Sequence, residues 1–190
     1  MWSKIFALHP DVYGWQALLN EYWIGHDREP FAECWEHPER LANFDWSQSD
    51  YYATSISVPY ALNGEPTVPD FDQFVAAVQA QYVQVKIAVL GRDRNIIGFQ
   101  ESRVRDQITF DQAIAAYQRF APDCYLSYEL LHLYRSRYLK SICQQLNFPI
   151  RWDSKEIENI LAVDTKSKYF GAVGSQPTDA LAQNASRKWR

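Results

Sequence analysis

The sequence is short of the residues on which several common functional sites depend. It has seven glycines, which never cluster, and three cysteines among 190 residues. The glycine-rich loops of the common nucleotide-binding motifs are absent, and so is the Gly-x-Ser-x-Gly elbow of α/β-hydrolases. No apolar run approaches the length of a membrane-spanning helix, so we expect no membrane partner. These absences argue against nucleotide-binding enzymes of the common types, α/β-hydrolases and membrane proteins.

The cysteines predict reduced thiols. Cys34, Cys124 and Cys143 are an odd number, lie far apart and fall within helical apolar patterns, as buried thiols of a cytoplasmic protein do. The first residues also lack the long apolar stretch of a secretory signal, so we expect a soluble, cytoplasmic protein. A zinc site would combine Cys34 and His37 with Cys124 and His132 at irregular spacing, so we expect no metal and no cofactor.

The charge of the chain is divided between its two halves. Residues 1–72 carry twelve acids and three bases, a net charge of −9, whereas residues 73–190 have a net charge of +5. Opposite charges attract, so we expect the halves to pack against each other. No Gly/Pro/Ser-rich linker separates them, and the C-terminal residues are small and polar. The sequence therefore predicts a single domain over residues 1–170 and a flexible basic tail over 171–190.

Hydrophobic periodicity predicts an α+β fold that is rich in helix. Apolar spacing predicts helices and alternation predicts strands, with Asn, Gly and Pro at many of the ends. The predicted helices are 11–24, a short one from Pro30, one that starts within 67–70 with Pro69 in its first turn and runs to 82, 110–120, 123–146 and 154–160; the predicted strands are 51–60 and a β-hairpin over 83–99. We expect the helices to pack on one face of a small, mainly antiparallel sheet of three to four strands.

The long predicted helix 123–146 contains the first candidate site. Arg135 projects into the middle of its apolar arc and His132 lies near the edge of that arc. We expect Arg135 to be buried and paired with a carboxylate, favouring one from the acidic residues 27–50, because an unpaired buried charge is costly. The alternative is a small-ligand pocket in which Arg135 binds an anion, His132 acts as acid or base and Tyr138 donates a hydrogen bond.

A second candidate site follows the apolar run 160–163. Asp164-Thr-Lys166 matches the acid-x-lysine end of a strand in metal-dependent nucleases, where carboxylates hold a divalent cation beside a lysine. Asp153, Glu156 and Glu158 are upstream carboxylates that could complete it. The competing interpretation is a solvated turn, because three common residue types recur by chance.

Protein–protein contact is the leading functional hypothesis, because no catalytic constellation exceeds chance and the chain is rich in Trp, Tyr and Arg, which anchor interfaces. We expect a non-catalytic accessory or adaptor protein that contacts another protein through its aromatic, acidic N-terminal half and its basic tail, and the candidate binding residues are Arg135, Tyr138 and Trp189 of the tail. The alternatives are a nucleic-acid-processing enzyme using Asp164 and Lys166, and a ligand pocket or enzyme around Arg135 and His132, so enzymatic activity stays open. A nucleic-acid partner is possible but not favoured, because the whole chain carries a net charge of −4.

Overall fold

The structure is a computed structural model that describes residues 1–21, 24–60, 67–91, 110–119 and 121–168. For residues 110, 112 and 163–168 it describes the backbone only. The tail over 171–190 and the second arm of the predicted hairpin, residues 96–99, lie outside the described residues.

Helices dominate the described part of the chain, and the strands are short. The α-helices are α1 (Trp2–Ala7), α2 (Ala32–Glu36), α3 (Phe71–Gln79), α4 (Phe110–Tyr117), α5 (Tyr128–Leu146) and α6 (Lys155–Lys168). The strands are β1 (Val12–Tyr13), β2 (Tyr51–Tyr52), β3 (Ala88–Gly91) and β4 (Cys124–Ser127). Three 3₁₀ helices span Gln16–Leu19, His26–Arg28 and Pro38–Asn43. No helix within these residues is both long and apolar enough to cross a membrane.

The predicted antiparallel sheet is wrong. β1 pairs with β2 in parallel, and β3 pairs with β4 in parallel from Ala88 opposite Cys124 to Gly91 opposite Ser127. The prediction failed because residues 124–127 continue the apolar spacing of the following helix and were assigned to it. In the structure they are a strand, and the Ser127 hydroxyl caps α5 by accepting from the Leu130 N–H. The fold is a mixed α/β arrangement with two small two-stranded parallel sheets.

The predicted helix 11–24 is also wrong. Its first residues form β1, and Tyr13 accepts a hydrogen bond of 2.8 Å from the Ala53 N–H. Gly14 then passes so close to the neighbouring chain that a Cβ there would lie 2.9 Å from the Ala53 carbonyl oxygen. Trp15 and Leu18 are buried three residues apart, as a 3₁₀ helix allows. The spacing of Trp15 and Leu18 fits an α-helix as well as a 3₁₀ helix. The backbone pairing of residues 12–13 with residues 51–53 excludes the longer α-helix that the sequence predicts.

Some element ends agree with the prediction and others do not. Helix α3 starts later than predicted, since Pro69 was expected in its first turn and lies before its cap, Asp70, which accepts a hydrogen bond of 3.0 Å from the Gln73 N–H. Helix α5 ends at Leu146, and Asn147 has the left-handed φ of 48° that ends many helices. Residues 83–90 alternate in exposure, as predicted for the first arm of the hairpin, but only Ala88–Gly91 form a strand, and its partner is β4. Tyr82, predicted to lie on the apolar face of α3, is fully exposed.

A first set of buried side chains joins the start of the chain to its C-terminal helices, and we name it the helical core. It comprises Trp2, Ile5, Cys124, Leu126, Leu131, Leu139, Ile142, Leu146, Ile150, Ile157 and Leu161. The rings of Trp2 and Tyr138 meet edge to face, with centroids 6.1 Å apart.

Since α1 belongs to the acidic half of the chain, the acidic and basic halves are in contact, and this contact is apolar. An exposed ion pair of 3.4 Å between Asp72 and Arg119 also joins them. The boundary of a single domain at residue 170 stays a prediction.

A second set, the aromatic cluster, lies within the first 85 residues. Its buried members are Phe31, Cys34, Trp35, Leu41, Phe74 and Val78, and Tyr13, Phe44, Trp46 and Tyr52 pack against them. Trp35 stacks on Phe74 with ring centroids 3.6 Å apart. This contact holds α2 against α3, so the cluster fixes the position of the loop that leads into α2.

Candidate functional site

Arg135 is not buried. Its side chain is 58% exposed and forms a 2.5 Å ion pair with Glu158 of α6, not with an acid of residues 27–50. The cause is a break in α5 at this residue, where φ is 46° and ψ is −124°. A straight helix would place Arg135 in the apolar arc, but the break changes the helical phase. The predicted burial of Arg135 is therefore wrong, whereas its pairing with a carboxylate is observed.

Tyr138 holds the junction between β4 and α5. Its hydroxyl accepts a hydrogen bond of 2.9 Å from the Ser127 N–H and donates one of 3.2 Å to the Tyr125 carbonyl oxygen. Burial raises the pKa of the Tyr138 phenol. Because both interactions are with the backbone, the hydroxyl has a structural task here. His132 packs on Tyr128 with ring centroids 4.6 Å apart.

The structure places the nuclease-like motif on a helix. Asp164 and Lys166 lie in α6, so the strand end on which the nuclease hypothesis depended is wrong. Two of the proposed upstream carboxylates have other contacts, since Glu158 pairs with Arg135 and Glu156 accepts from the Ser154 hydroxyl. Trp189 lies outside the described residues. The side chains of Asp164 and Lys166 also lie outside the described part of the chain, so the nuclease site stays a hypothesis.

An exposed apolar surface on the first half of α5 was missed. Leu130, Leu133 and Tyr134 lie at positions i, i+3 and i+4, which share one side of a helix, and all three are exposed, Leu133 to 71%. We name these three residues the α5 face. Leucines usually mark the buried side of a helix, so those at positions 126, 130 and 133 give no sign of an exposed surface. Leu126 is buried, but it belongs to β4.

Further exposed apolar side chains lie on the neighbouring strands. Tyr125 of β4 is 68% exposed, and Leu90 of β3, opposite Leu126, is also exposed. Large apolar groups on the surface of a protein mark interaction sites when several occur close together. A single exposed leucine would mean nothing, so the helical spacing of the α5 face is the informative observation.

A buried carboxyl group is the second feature that sequence analysis missed. Glu29 is 5% exposed, and its Oε2 accepts a hydrogen bond of 2.9 Å from the Phe31 N–H. Burial raises the pKa of Glu29 to about 7, although Thr54, Phe31 and Ser55 stabilise the charged form by hydrogen bonding. No periodicity marks Glu29, because it lies in the irregular segment between a 3₁₀ helix and α2.

Clefts on the described surface include one beside Glu29 and one beside α3. The smaller, with room for about 10 Å³, is lined by His26, Glu29, Ala32, Trp35, Ser55, Ile56 and Tyr60. The larger, of about 650 Å³, lies beside the start of α3, and its charged lining groups are engaged, Asp70 as a cap and Asp72 with Arg119. Arg135, His132 and Tyr138 line neither cleft.

Comparison with protein-family models, with curated proteins and with solved structures returns no significant match to this chain. The function must therefore be inferred from the geometry of its own residues.

Proposed function

We propose that this chain is a non-catalytic accessory or adaptor protein that binds another protein through the α5 face. The observation that supports the proposal is the exposure of Leu130, Leu133 and Tyr134 on one side of a helix. Burying such groups against a partner is favourable at about 25 cal/mol per Å² of apolar surface. Tyrosine is also among the residues that dominate binding energy at interfaces.

The charge around the α5 face indicates the chemistry of the partner. Arg135, Arg137 and Lys140 follow it on the same helix and are exposed. Arg135 is partly neutralised by Glu158, and Lys140 lies over the ring of Trp152 at 5.2 Å. A complementary segment would carry apolar side chains for the face and carboxylates for the adjacent bases. We therefore propose a partner segment that is apolar and acidic.

We also propose that the protein is cytoplasmic and that its C-terminal tail contributes to partner binding. Cys34 and Cys124 are buried, Cys143 is half-buried, and none of the three is in a disulfide, which suits a reducing compartment. Trp189 with its neighbouring bases remains a candidate second contact, to be tested by removing residues 171–190. The nuclease and ligand-pocket hypotheses stay untested, and no described geometry supports them.

Site-specific photo-crosslinking in the native cell tests the proposal. A benzophenone amino acid is placed at position 133, and at position 144 as an exposed control on the same helix. A partner captured at 133 but not at 144 is then purified and its affinity measured by titration. Leu133→Asp should weaken binding at least about tenfold, because a buried apolar contact is replaced by a desolvated charge.

Ser141→Asp is the matched control, since it adds the same charge to the exposed surface of α5. It should leave the affinity within about twofold, as rim charges contribute little. Equal capture at both positions, or equal affinities of the Leu133→Asp and Ser141→Asp variants, would contradict the proposal.

A further inference from the structure

The sheet formed by β3 and β4 is closed along its β4 edge. In a strand, the main-chain groups of successive residues point to opposite sides. The Cys124 N–H donates to the Ile87 carbonyl oxygen at 3.3 Å, just before β3. The main-chain groups of Tyr125 and Ser127 therefore point away from β3. There the Tyr138 hydroxyl accepts from the Ser127 N–H and donates to the Tyr125 carbonyl oxygen, so it fills the place that a further strand would take.

The opposite edge, along β3, is open. Because Ile87 points its carbonyl group at β4, the same alternation turns the main-chain groups of Ala88 and Leu90 to the other side. Both residues are exposed, Leu90 to 50%, and no hydrogen bond joins these outward groups to another described residue. Such a row of N–H and C=O groups is a template for another strand.

The side chains at this edge lie beside the helical core without being covered by it. Side chains of paired residues lie on the same face of a sheet, and Leu126, opposite Leu90, is buried in the helical core. Cys124, opposite Ala88, is buried there too. A strand added at the β3 edge would extend the sheet over the margin of the core and cover Leu90.

We propose that the open edge of β3 pairs with β3 of a second copy of this chain, antiparallel and about a two-fold axis at Val89. Ala88 of each copy then lies opposite Leu90 of the other, and each such pair exchanges two N–H···O bonds. This one register satisfies every outward N–H and C=O group of both residues. The two sheets join into one, in the order β4, β3, β3, β4.

The β3 edge complements itself in size and in charge. Leu90 lies opposite an alanine, so a large side chain meets a small one on the face that packs on the core. Charged side chains are a common means of preventing edge pairing, and residues 87–91 contain none. Lys86, which precedes them, is paired with Asp123 at 3.0 Å. The charge-free edge therefore permits a second copy to approach.

Sedimentation of the full chain tests the association. The contact is smaller than a standard interface, so we expect a Kd of about 100 µM. Leu90→Pro removes an N–H that does not point to β4 and should weaken the dimer about tenfold or more. Leu90→Val keeps that N–H and should stay within about threefold. Leu133→Asp should leave the dimer unchanged, so the β3 edge and the α5 face can fail separately.

Disulfide cross-linking tests the register. Position 89 of the two copies forms a non-hydrogen-bonded pair with Cα atoms about 4.5 Å apart, within the range of a disulfide. Val89→Cys should therefore cross-link in oxidised glutathione, and a mixture of Ala88→Cys with Leu90→Cys should cross-link faster than either variant alone. Gln84→Cys is the exposed control on the same segment, and the parent chain gives the background of its own thiols.

Hydrogen exchange of the Ala88 and Leu90 amides separates a second copy from other coverings of the edge. Their protection should rise with the concentration of the chain, whereas the Gly91 amide, which faces β4, should be protected throughout. Protection at every concentration would mean that the chain covers its own edge. Protection only in a complex with the partner captured at position 133 would assign the edge to a strand of that partner. Either result, or a monomer without preferential cross-linking at position 89, would overturn the proposal.

Discussion

The helical core and the aromatic cluster are built from different elements. The helical core draws on α5 and α6, the two longest helices among the described residues, and its buried residues are mainly leucine and isoleucine. The aromatic cluster draws on α2, which has five residues, a 3₁₀ helix, α3 and irregular segments, and its buried volume is supplied largely by Phe and Trp rings. Large rings can fill the space between short elements that provide few side chains each.

This difference decides where polar side chains are buried. In a long helix the backbone groups bond to one another, so the side chains need only be apolar. Short elements leave backbone groups without such partners, and in the cluster polar side chains replace them. The Trp46 indole donates to the Leu41 carbonyl oxygen at 3.1 Å, and Glu29 accepts from the Phe31 N–H. The burial of Glu29 is thus a consequence of the irregular backbone around it.

Phe31→Ala tests how far the aromatic cluster depends on its central ring. Phe31 is fully buried and contacts the rings of Tyr13, Phe44, Trp46 and Tyr52. Its truncation should lower the free energy of unfolding by about 3–5 kcal/mol, the usual cost of such a cavity. Urea unfolding measures it, with the exposed Gln48→Ala as control. A loss below about 1 kcal/mol would show that the cluster collapses around the gap.

Leu139→Ala makes the corresponding change in the helical core. Leu139 is fully buried in α5, so we expect a loss of about 2–5 kcal/mol, against less than about 0.5 kcal/mol for the exposed Gln144→Ala. If residues 1–170 are one domain, far-UV and near-UV circular dichroism should give the same urea midpoint in this variant and in Phe31→Ala. Separate midpoints would make the core and the cluster independent units.

The parts of the fold that the sequence predicts are those set by neighbouring residues. Asn147 directly after α5 is such a local signal, and the structure has it where it was expected. Likewise, the alternating apolar residues from 83 onward alternate in exposure, and Ala88–Gly91 form a strand. Local sterics and hydrogen bonds determine these features without reference to the rest of the chain.

The features that were missed depend on distant residues. The parallel partners of β1 and β3 lie far along the chain, and alternation alone carries no information on direction. The break at Arg135 follows no Gly or Pro, so the helical phase beyond it was misjudged. Glu29 is a common residue type in an irregular segment, and its environment includes Thr54 and Ser55, which hydrogen-bond to it from a distant part of the sequence. The α5 face was hidden because its leucines predicted a core.

The buried carboxyl group of Glu29 makes the stability of the aromatic cluster depend on pH. Its pKa is about 7 in the folded chain, against 4.5 normally. Below pH 4.5 the carboxyl group is protonated in the folded and in the unfolded chain, so its burial does not lower the free energy of unfolding through a buried charge. Between pH 4.5 and 7 the unfolded chain loses its proton first, so stability falls as the pH rises, by about 3 kcal/mol in all, and is then constant.

Glu29→Gln should therefore stabilise the chain by up to about 3 kcal/mol at pH 8 and by far less at pH 4, because it removes the buried charge. Urea unfolding of the variant and the parent across this range measures the difference. Glu33→Gln, an exposed carboxyl group, should show no such dependence. A constant difference between parent and Glu29→Gln from pH 4 to 8 would mean that Glu29 titrates normally.

The smallest expected effect concerns the break in α5, where the helical core meets the α5 face. Arg135 has φ 46° and ψ −124°, a conformation that glycine adopts freely and other residues adopt at a cost of about 1–3 kcal/mol. Its exposed pair with Glu158 contributes about 0.2–1 kcal/mol. Arg135→Ala should therefore lower stability by no more than about 1 kcal/mol, whereas Arg135→Gly relieves the backbone and should be about 1 kcal/mol more stable than Arg135→Ala.

At a regular helical position the order is the opposite, since a variant with glycine is about 1 kcal/mol less stable than one with alanine. Gln144→Ala and Gln144→Gly in the second half of α5 provide that reference. Urea unfolding of the four variants measures both differences, and the same order at positions 135 and 144 would show that α5 runs unbroken through Arg135.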